Sequence, residues 1–316
     1  MAYYTTFTLY LILLSTQSNN VKKNIELKAA MKVLIVGGTG YLGSKIAQEA
    51  NRAGHEVVAL VRESSDASSL EQLGATIVRG DITDPRTLPL AFEGIDTAVT
   101  SAIGYVARKS GDSLESVDNQ GNRNVADAAL KAGVKRLVFL SILTADRPKH
   151  IPHLYQKFLS EEYFQKIGLP FVALRPGAFL DQELERRKGG FSQGILETVV
   201  APDVPLTYIL ADDVAHCAAT ALTAVGVEGE RIDLGMDRAF TTDELAAELS
   251  GAIGHKIEPQ MHSVSTGDAD FDALVAYMNT GQYVADVNKQ AQFFGPPATL
   301  ADSVRRWVAS TNLNRG

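Results

Sequence analysis

The sequence is poor in cysteine and in positive charge, and each shortage excludes a class of protein. Cys217 is the single cysteine among 316 residues, so no intrachain disulfide can form; this fits a reducing compartment, and we expect a cytoplasmic protein. Its surroundings, ADDVAHCAATAL, predict a small-residue helix with a buried structural thiol. Lysine and arginine total 30 against 37 aspartates and glutamates, so we expect no direct nucleic-acid partner.

Long apolar runs are also missing at the start of the chain. The apolar part of the first segment, FTLYLILL, is too short to span a bilayer as a helix, and it lacks the basic start and the small-residue cleavage site of a signal peptide. We therefore expect no membrane contact. We interpret residues 1–30 as a disordered N-terminal extension in front of a fold that begins at Met31, with an export signal as the alternative.

What the chain does contain is an alternation of apolar strands and helical patterns from Met31 onward. The predicted strands are KVLIV, EVVALV, ATIVRGD, IDTAVTSA, VKRLVFLS and PFVALRPG, and the predicted helices are SKIAQEANRAG and residues 67–73, 85–92, 114–132 and 154–167. Near-continuous apolar strands indicate burial on both faces. The pattern therefore predicts an α/β fold with a doubly wound parallel sheet.

The alternation of apolar strands and helical patterns stops after LRPGAF. The segment DQELERRKGGFSQG is charged and contains glycine, and we predict a flexible flap near the site. Beyond it we predict a helix capped by Asp212 or Asp213, a further strand ERIDLG, a helix with Thr241 or Thr242 as its cap, and a last helix TLADSVRRWVAS. We divide the chain into a nucleotide-binding core, 31–177, and a part, 178–316, that completes the sheet and adds a small substrate-binding lobe.

A glycine cluster, GGTGYLG, lies between the first strand and the first helix. It can be aligned as Gly38, Gly40 and Gly43 or as Gly37, Gly40 and Gly43. In both alignments the glycines allow a tight turn and a close approach of backbone N–H groups to a diphosphate at the helix N-terminus. The sequence therefore predicts a Rossmann-type dinucleotide site, in which the intervening residues Thr39, Tyr41 and Leu42 also belong to the phosphate-binding loop.

The end of the second strand predicts which dinucleotide binds. The position at which an acid would accept from the adenosine ribose reads ALVRES, and Arg62 favours a 2′-phosphate instead. We therefore predict NADP(H), with NAD(H) as the alternative because Glu63 follows directly. Asp81 and Ile82 lie at the end of the third strand, and Ala102 lies after the fourth strand; all three are predicted cofactor contacts. For Asp81 the alternative is that it caps the next helix.

These segments resemble the atypical short-chain dehydrogenase/reductases, and among them the NmrA-like NAD(P)-binding proteins. The resemblance covers roughly residues 31–224 and rests on VLIVGGTGYLG, RGDITD, VDNQGNRNVADAALKAGVKRLVFLS, KFLSEEYFQKIGLPFVALRPGAF and ADDVAHCAATAL. It implies the alignment with Gly37, Gly40 and Gly43. It also implies a cofactor along the carboxyl edge of the sheet and a small substrate lobe built by the later segments.

The resemblance also exposes a departure, because the usual Tyr-x-x-x-Lys pair is absent. The matching lysine is Lys157, four residues before it stands His153, and Tyr155 is only two residues away, on another helix face. Three interpretations stay open. In the first, Lys157 holds the nicotinamide ribose while His153 or Tyr155 supplies a proton; in the second, Lys157 itself, the substrate or water handles the proton. In the third, the protein catalyses nothing, His153 is a surface or loop histidine and Tyr155 is a core aromatic. Ser141 ends the fifth strand and either contacts a substrate carbonyl or caps a turn.

Further residues are predicted to surround the nicotinamide end of the cofactor. They are Gly104, Pro176 and Gly177, together with the aromatic residues Tyr105, Phe179 and Tyr208. No residue is assigned to a metal. The first functional hypothesis is an NAD(P)H-dependent oxidoreductase, monomeric or homodimeric, that reduces a small apolar carbonyl, enone or quinone. The alternative is a non-catalytic NAD(P)-binding redox sensor or regulator with a protein partner.

Overall fold

Seven parallel strands form the central sheet of the computed structural model, which describes residues 30–104, 110–262 and 267–311. The strands are β1 (Lys32–Val36), β2 (Glu56–Val61), β3 (Thr76–Arg79), β4 (Thr97–Thr100), β5 (Leu137–Leu140), β6 (Phe171–Pro176) and β10 (Arg231–Leu234). Their spatial order is β10-β6-β5-β4-β1-β2-β3. The order reverses between β1 and β4, and ligands of open α/β sheets bind outside the carboxyl ends of the strands at such a point.

The strands are nearly continuous apolar runs because helices cover both faces of the sheet. Every residue of β4, β5 and β6 is buried. The covering and C-terminal helices are α1 (Tyr41–Arg52), α2 (Ser68–Gln72), α3 (Leu88–Ala91), α4 (Asn122–Ala132), α5 (Pro152–Lys166), α6 (Leu180–Arg187), α7 (Ala211–Ala221), α8 (Thr242–Ile253), α9 (Ala269–Met278), α10 (Asn288–Phe294) and α11 (Leu300–Ser310). The predicted Rossmann-type α/β fold is confirmed.

A second hydrophobic core lies beyond the sheet and is built mostly by the C-terminal half of the chain. Trp307 of α11 packs edge-on against Phe191, with ring centroids 6.0 Å apart, and both side chains are buried. Two small parallel sheets belong to the same region, formed by the strand pairs β7 (Ala178–Phe179) with β9 (Tyr208–Ile209) and β8 (Ile195–Thr198) with β11 (Glu258–Met261). The boundary after residue 177 stays a prediction.

The segment DQELERRKGGFSQG, which we predicted as a flap near the site, is mostly helical, and Gln182, Glu183 and Arg186 do line the cavity described below. The segment forms α6 and then a 3₁₀-helix, Lys188–Gln193. Leu184 and Phe191 are buried in the second core, and the carboxylate of Glu183 pairs with Arg187 one turn later. The apolar residues are few but correctly spaced, so their burial outweighs the charged composition from which we predicted a loop.

Two helix starts also differ from the prediction. Helix α7 has Leu210 at its N-cap and no capping side chain; Asp212 pairs instead with Lys45, and Asp213 pairs with Arg306. The predicted helix 114–132 opens as a π-helix, Leu114–Gly121, before it continues as α4. A π-helical turn is uncommon and occurs frequently at functional sites.

Other predictions about the later segments are confirmed. ERIDLG supplies β10, and TLADSVRRWVAS supplies α11. Cys217 is buried, and burial raises the pKa of its thiol to about 12, which keeps the sulfur protonated and unreactive at neutral pH. Within the described ranges, no helix combines the length and the apolar composition needed to cross a membrane.

The predicted cap of α8 gives a direct test of the fold. Thr241 Oγ1 accepts a hydrogen bond from the N–H of Glu244 at 3.1 Å, and the Glu244 carboxylate accepts one from the N–H of Thr241 at 2.9 Å. We expect Thr241→Ala to lower the free energy of unfolding by about 1 kcal/mol, as removal of such caps does. Thr241→Ser keeps the hydroxyl and should melt within a degree or so of the parent; an equal loss in both variants in thermal melts would exclude the cap as the cause.

Candidate cofactor and substrate site

The glycine loop joins β1 to α1 at the point where the strand order reverses. Gly37 has a φ of +84°, a region that favours glycine. The N–H of Gly40 donates to the carbonyl of Gly37 at 2.9 Å, and the first bond of α1 runs from the N–H of Ser44 to the carbonyl of Gly40 at 3.0 Å. The helix therefore does not use the N–H groups of Tyr41, Leu42 and Gly43 for its own bonds, and they are available to an anion.

Close backbone approach distinguishes the two alignments of the glycines. A Cβ on Gly43 would lie 2.1 Å from the carbonyl oxygen of Gly37, and a Cβ on Gly37 would lie 2.9 Å from Oγ of Ser101. A Cβ on Gly38 would meet its nearest atom at 3.4 Å, an ordinary contact. The geometry therefore favours the alignment with Gly37, Gly40 and Gly43, and this compact loop fits a diphosphate.

The groove continues toward the carboxyl ends of β2 and β3, where the adenosine half of a dinucleotide would bind. Its walls include Thr39, Arg62, Ser65, Asp81, Ile82 and Ala102. Arg79 fixes the loop after β2, because its Nη1 donates to the carbonyl oxygens of Arg62 at 2.8 Å and Ser65 at 2.9 Å. Most of the predicted cofactor residues thus line this groove, whereas Tyr41, Leu42, Gly43 and Lys157 line the neighbouring cavity.

Arg62 already has two acidic partners in this groove. Its Nη1 donates to Oδ2 of Asp112 at 2.7 Å, and its Nε lies 3.6 Å from Oδ2 of Asp81. Asp81 also accepts from the N–H of Thr83 at 2.9 Å, so it closes a turn, while Asp84 caps the next helix. A 2′-phosphate at Arg62 would compete with two carboxylates. The sequence could not predict the ion pair between Asp112 and Arg62, because the two residues lie 50 positions apart in the chain.

A cavity of about 430 Å³ opens on the other side of the glycine loop. It shares Gly40 and Ser101 with the adenosine groove. Its other walls include Tyr41, Leu42, Gly43, Ser141, His153, Lys157, Pro176, Gly177, Phe179, Leu274, Met278 and Tyr283. The predicted wall residues Pro176, Gly177 and Phe179 are thus present, whereas Tyr208 is buried in the second core and Tyr105 lies outside the described residues.

Lys157 is buried at the wall of this cavity and is held by three groups. Its Nζ lies 2.9 Å from Oδ1 of Asp118, donates to the carbonyl of Ala102 at 3.3 Å and lies 5.2 Å from the ring centroid of Phe139. Asp118 lies in the π-helix, is also buried, and accepts at its Oδ2 from the N–H of Gly104 at 2.6 Å. Sequence reasoning missed Asp118 although it lies in the quoted VDNQGNRNV segment.

Ser141 lies at the same wall but turns its proton away from the cavity. Its Oγ donates to Oε1 of Glu161 at 2.5 Å. Glu161 is fully buried and also accepts from Arg175 at 2.6 and 3.0 Å and from Arg231 at 2.8 Å. The Ser141 hydroxyl therefore offers a lone pair to the cavity, and it does not cap the next turn as the alternative prediction held.

His153 lies within α5, not on the surface or in a loop, so that part of the third interpretation is wrong. Its side chain is 11% exposed and lines the cavity. Burial is the main cause that lowers the pKa of His153 below its usual value, against the opposing charge of Asp270, so the imidazole is neutral at neutral pH. Tyr155 packs against Phe158, with ring centroids 6.0 Å apart, and is not among the described residues that line the cavity.

The strand order, with a glycine loop at the reversal point, defines a dinucleotide-binding protein of the Rossmann class. Comparison with known families makes the assignment more specific. The profile of the family described as NAD(P)H-binding matches residues 37–224, more than half of the chain, and the chain belongs to this family. It is an NAD(P)H-binding protein of the NmrA-like, atypical short-chain dehydrogenase/reductase superfamily, as the sequence motifs predicted.

Individual relatives have two kinds of name. The photosystem II assembly factor Ycf39 of Synechocystis is 33% identical over 221 residues, which is 68% of this chain and 65% of that protein, just under two thirds of its length. The NAD(P)H azoreductase of Xenophilus azovorans is 29% identical over 276 residues, covering 85% of this chain and 89% of the azoreductase. A crystal structure of an NADPH-dependent quinone oxidoreductase of Escherichia coli with NADPH has a TM-score of 0.71 at 26% identity, covering 87% of this chain and 99% of that chain.

The glycine geometry predicts which substitution abolishes cofactor binding. We expect Gly43→Ala to weaken NADPH binding at least tenfold in calorimetric titration, because its Cβ would force the loop away from the carbonyl of Gly37. Gly38→Ala is the matched control, since the same added methyl meets only ordinary contacts and should leave the affinity within about twofold. Equal losses in the two variants would contradict the preferred alignment.

Proposed function

We propose that the protein is an NADPH-dependent oxidoreductase that reduces a small apolar carbonyl, enone or quinone. The observation that carries this proposal is the cavity beside the phosphate loop. It shares Gly40 with the cofactor groove, so a molecule in it would lie next to the nicotinamide half of the dinucleotide. Leu274, Met278 and Phe179 give it apolar walls, and Lys157 and His153 give it a polar end.

The names of two relatives support a reductase. The azoreductase and the quinone oxidoreductase are both named for the reduction of unsaturated compounds by nicotinamide cofactors, and the matches extend over 89% and 99% of those chains. Such coverage includes the region that builds the cavity here. The size and apolar walls of the cavity fit a planar substrate of the same general kind.

The contacts of the cavity residues suggest a separate role for each of them in the proposed reduction. The cofactor supplies a hydride when bound. In this proposal Lys157, which Asp118 and the carbonyl of Ala102 immobilise, holds the nicotinamide ribose. Ser141 accepts a hydrogen bond from a donor on cofactor or substrate, since its own proton is committed to Glu161. Tyr155, which packs away from the cavity, takes no part.

Lys157 provides the test of catalysis. We expect Lys157→Gln to lower kcat/KM for NADPH oxidation with a soluble naphthoquinone about a hundredfold, because the reacting groups lose their alignment. Asp118→Asn is the companion variant: it keeps an acceptor oxygen for the N–H of Gly104 but removes the charge that holds Lys157, so a smaller loss is expected. An unchanged rate in Lys157→Gln, with thermal melts showing an intact fold, would contradict this role.

Arg62 and Asp112 provide the test of cofactor preference. We expect NADPH to bind more tightly than NADH, and Arg62→Ala to weaken NADPH binding roughly tenfold or more with little change for NADH. Asp112→Asn should act in the opposite direction, because it removes a carboxylate that competes with the 2′-phosphate for Arg62. The measurement is the ratio of the two dissociation constants; a ratio near one in the parent protein would refute the preference.

A non-catalytic regulator or assembly protein is the second candidate. The absent Tyr-x-x-x-Lys pair and the similarity to an assembly factor favour it. Tight NADPH binding without oxidation across a panel of quinones, enones and azo dyes would support this candidate, and turnover that Lys157→Gln removes would reject it. For either function we keep the predicted cytoplasmic location and a monomer or homodimer as part of the proposal.

A further inference from the structure

Helix α9 forms a wall of the cavity, and its first turn carries the carboxylate of Asp270. Asp270, Leu274 and Met278 are spaced four residues apart and therefore lie on one face of the helix. Leu274 and Met278 line the cavity, and Asp270 lies against the first turn of α5. The segment follows Asp268, a capping residue with an acidic first turn after it, which is the sequence signal that would have predicted the helix.

Both carboxylate oxygens of Asp270 lie near His153, but only one of them makes a hydrogen bond to it. Oδ1 accepts a hydrogen bond from the backbone N–H of His153 at 3.0 Å, and Oδ2 lies 3.9 Å from Nδ1 of the imidazole. The side chains are 16% and 11% exposed. The first contact fixes the carboxylate relative to the backbone of α5, so the second oxygen has a defined position beside the ring.

The hydrogen bonding of the second carboxylate oxygen of Asp270, Oδ2, indicates which nitrogen of His153 carries the proton. Oδ2 of Asp270 is buried and accepts no hydrogen bond from the described residues. A buried carboxylate oxygen without a donor costs free energy. A proton on Nδ1 of His153, brought closer by a small rotation of the ring, would supply that donor. The preferred neutral tautomer then carries its proton on Nδ1, and His153 itself is a wall residue of the cavity.

The charges around His153 come from three elements. Asp270 and Asp268 belong to α9 and its cap, Asp118 to the π-helix, and Lys157 to α5 itself. The three carboxylates raise the pKa of His153, whereas burial and Lys157 lower it. Asp270 is the foremost of the charges that favour the imidazolium form, and it therefore controls how readily His153 takes up a proton at the cavity.

We propose that Asp270 is a positioning residue that orients His153 as the proton donor for the reduced substrate. This rests on the oxidoreductase function proposed above. Hydride addition from NADPH to a carbonyl, enone or quinone leaves a substrate anion and NADP⁺. The Nε2–H bond of protonated His153 breaks, an O–H or C–H bond forms on the product, and solvent returns a proton to the neutral imidazole. His153 stands one helical turn before Lys157, where the usual pair has its tyrosine.

The test is the pH profile of Asp270→Asn. Asparagine keeps an oxygen for the N–H of His153 but replaces the charged Oδ2 with an amide that cannot accept from Nδ1. With NADPH and a soluble naphthoquinone, kcat/KM of the parent should fall as pH rises through the pKa of His153. In Asp270→Asn this descending limb should move to lower pH, with a roughly tenfold loss near pH 7 and little loss at the acidic plateau.

Two further variants separate positioning from a structural effect. Asp272→Asn removes the same charge from the same turn, but on another helix face, and should leave the profile in place. In His153→Gln the limb should disappear, and adding Asp270→Asn should then change nothing further. A lower plateau with an unmoved limb in Asp270→Asn would overturn the proposal, because it would mean that Asp270 acts only on the fold.

An NMR titration of the full chain gives a readout that does not need turnover. The sequence has six histidines, and His153→Gln identifies the signal of His153 by its loss. We expect Asp270→Asn to lower the pKa of that signal; an unchanged pKa overturns the pairing. A protein that oxidises no NADPH refutes the oxidoreductase function, and the titration still decides whether Asp270 and His153 are coupled.

Discussion

Two opposite charges buried one turn apart on α5 are the constraint on which the site depends. Lys157 and Glu161 occupy the same helix face, which packs against the sheet, and both are almost fully buried. Neither charge could be buried without partners, since removing one member of such a pair leaves an uncompensated charge at a cost of roughly 3–5 kcal/mol. Asp118 forms an ion pair with Lys157, and Arg175 and Arg231 form ion pairs with Glu161. These partners fix α5 to β6, β10 and the π-helix.

The same pairing explains the arrangement of the cavity wall. His153 precedes Lys157 by one turn as Glu161 follows it, so one stripe of α5 carries the imidazole, the ammonium and the carboxylate. Glu161 accepts the hydrogen bond that the Ser141 hydroxyl donates, and Asp270 lies beside His153. The groups that border the cavity are thus each held by a second group behind them. This gives a polar end to a cavity whose other walls combine apolar side chains, such as Leu274 and Met278, with the polar side chains of Gln182, Glu183 and Arg186.

The parts of the fold that the sequence predicted are those with local signals. The glycine loop, the strands from β1 to β6 and the capping box at Thr241 each depend on residues within a few positions of one another. The missed partners lie far apart in the chain: Asp112 is 50 residues from Arg62, and Asp270 is 117 residues from His153. The buried stripe of α5 is polar, so apolar periodicity could not show which face of that helix is covered. The helical segment after Phe179 was missed because its charged residues outnumber the few buried ones.

The missing tyrosine bears on substrate chemistry more than on cofactor binding. Hydride addition to a simple ketone leaves a localised alkoxide, which needs a strong donor at the moment of reaction. Addition to a quinone or an enone leaves an anion whose charge is spread over a conjugated system, and a weaker donor is sufficient. His153 is neutral at neutral pH, and the Ser141 hydroxyl donates its hydrogen bond to Glu161, so neither of these two groups is a strong donor to the cavity before substrate binds. For the oxidoreductase that we propose, these two weak donors suit a conjugated acceptor better than a simple ketone.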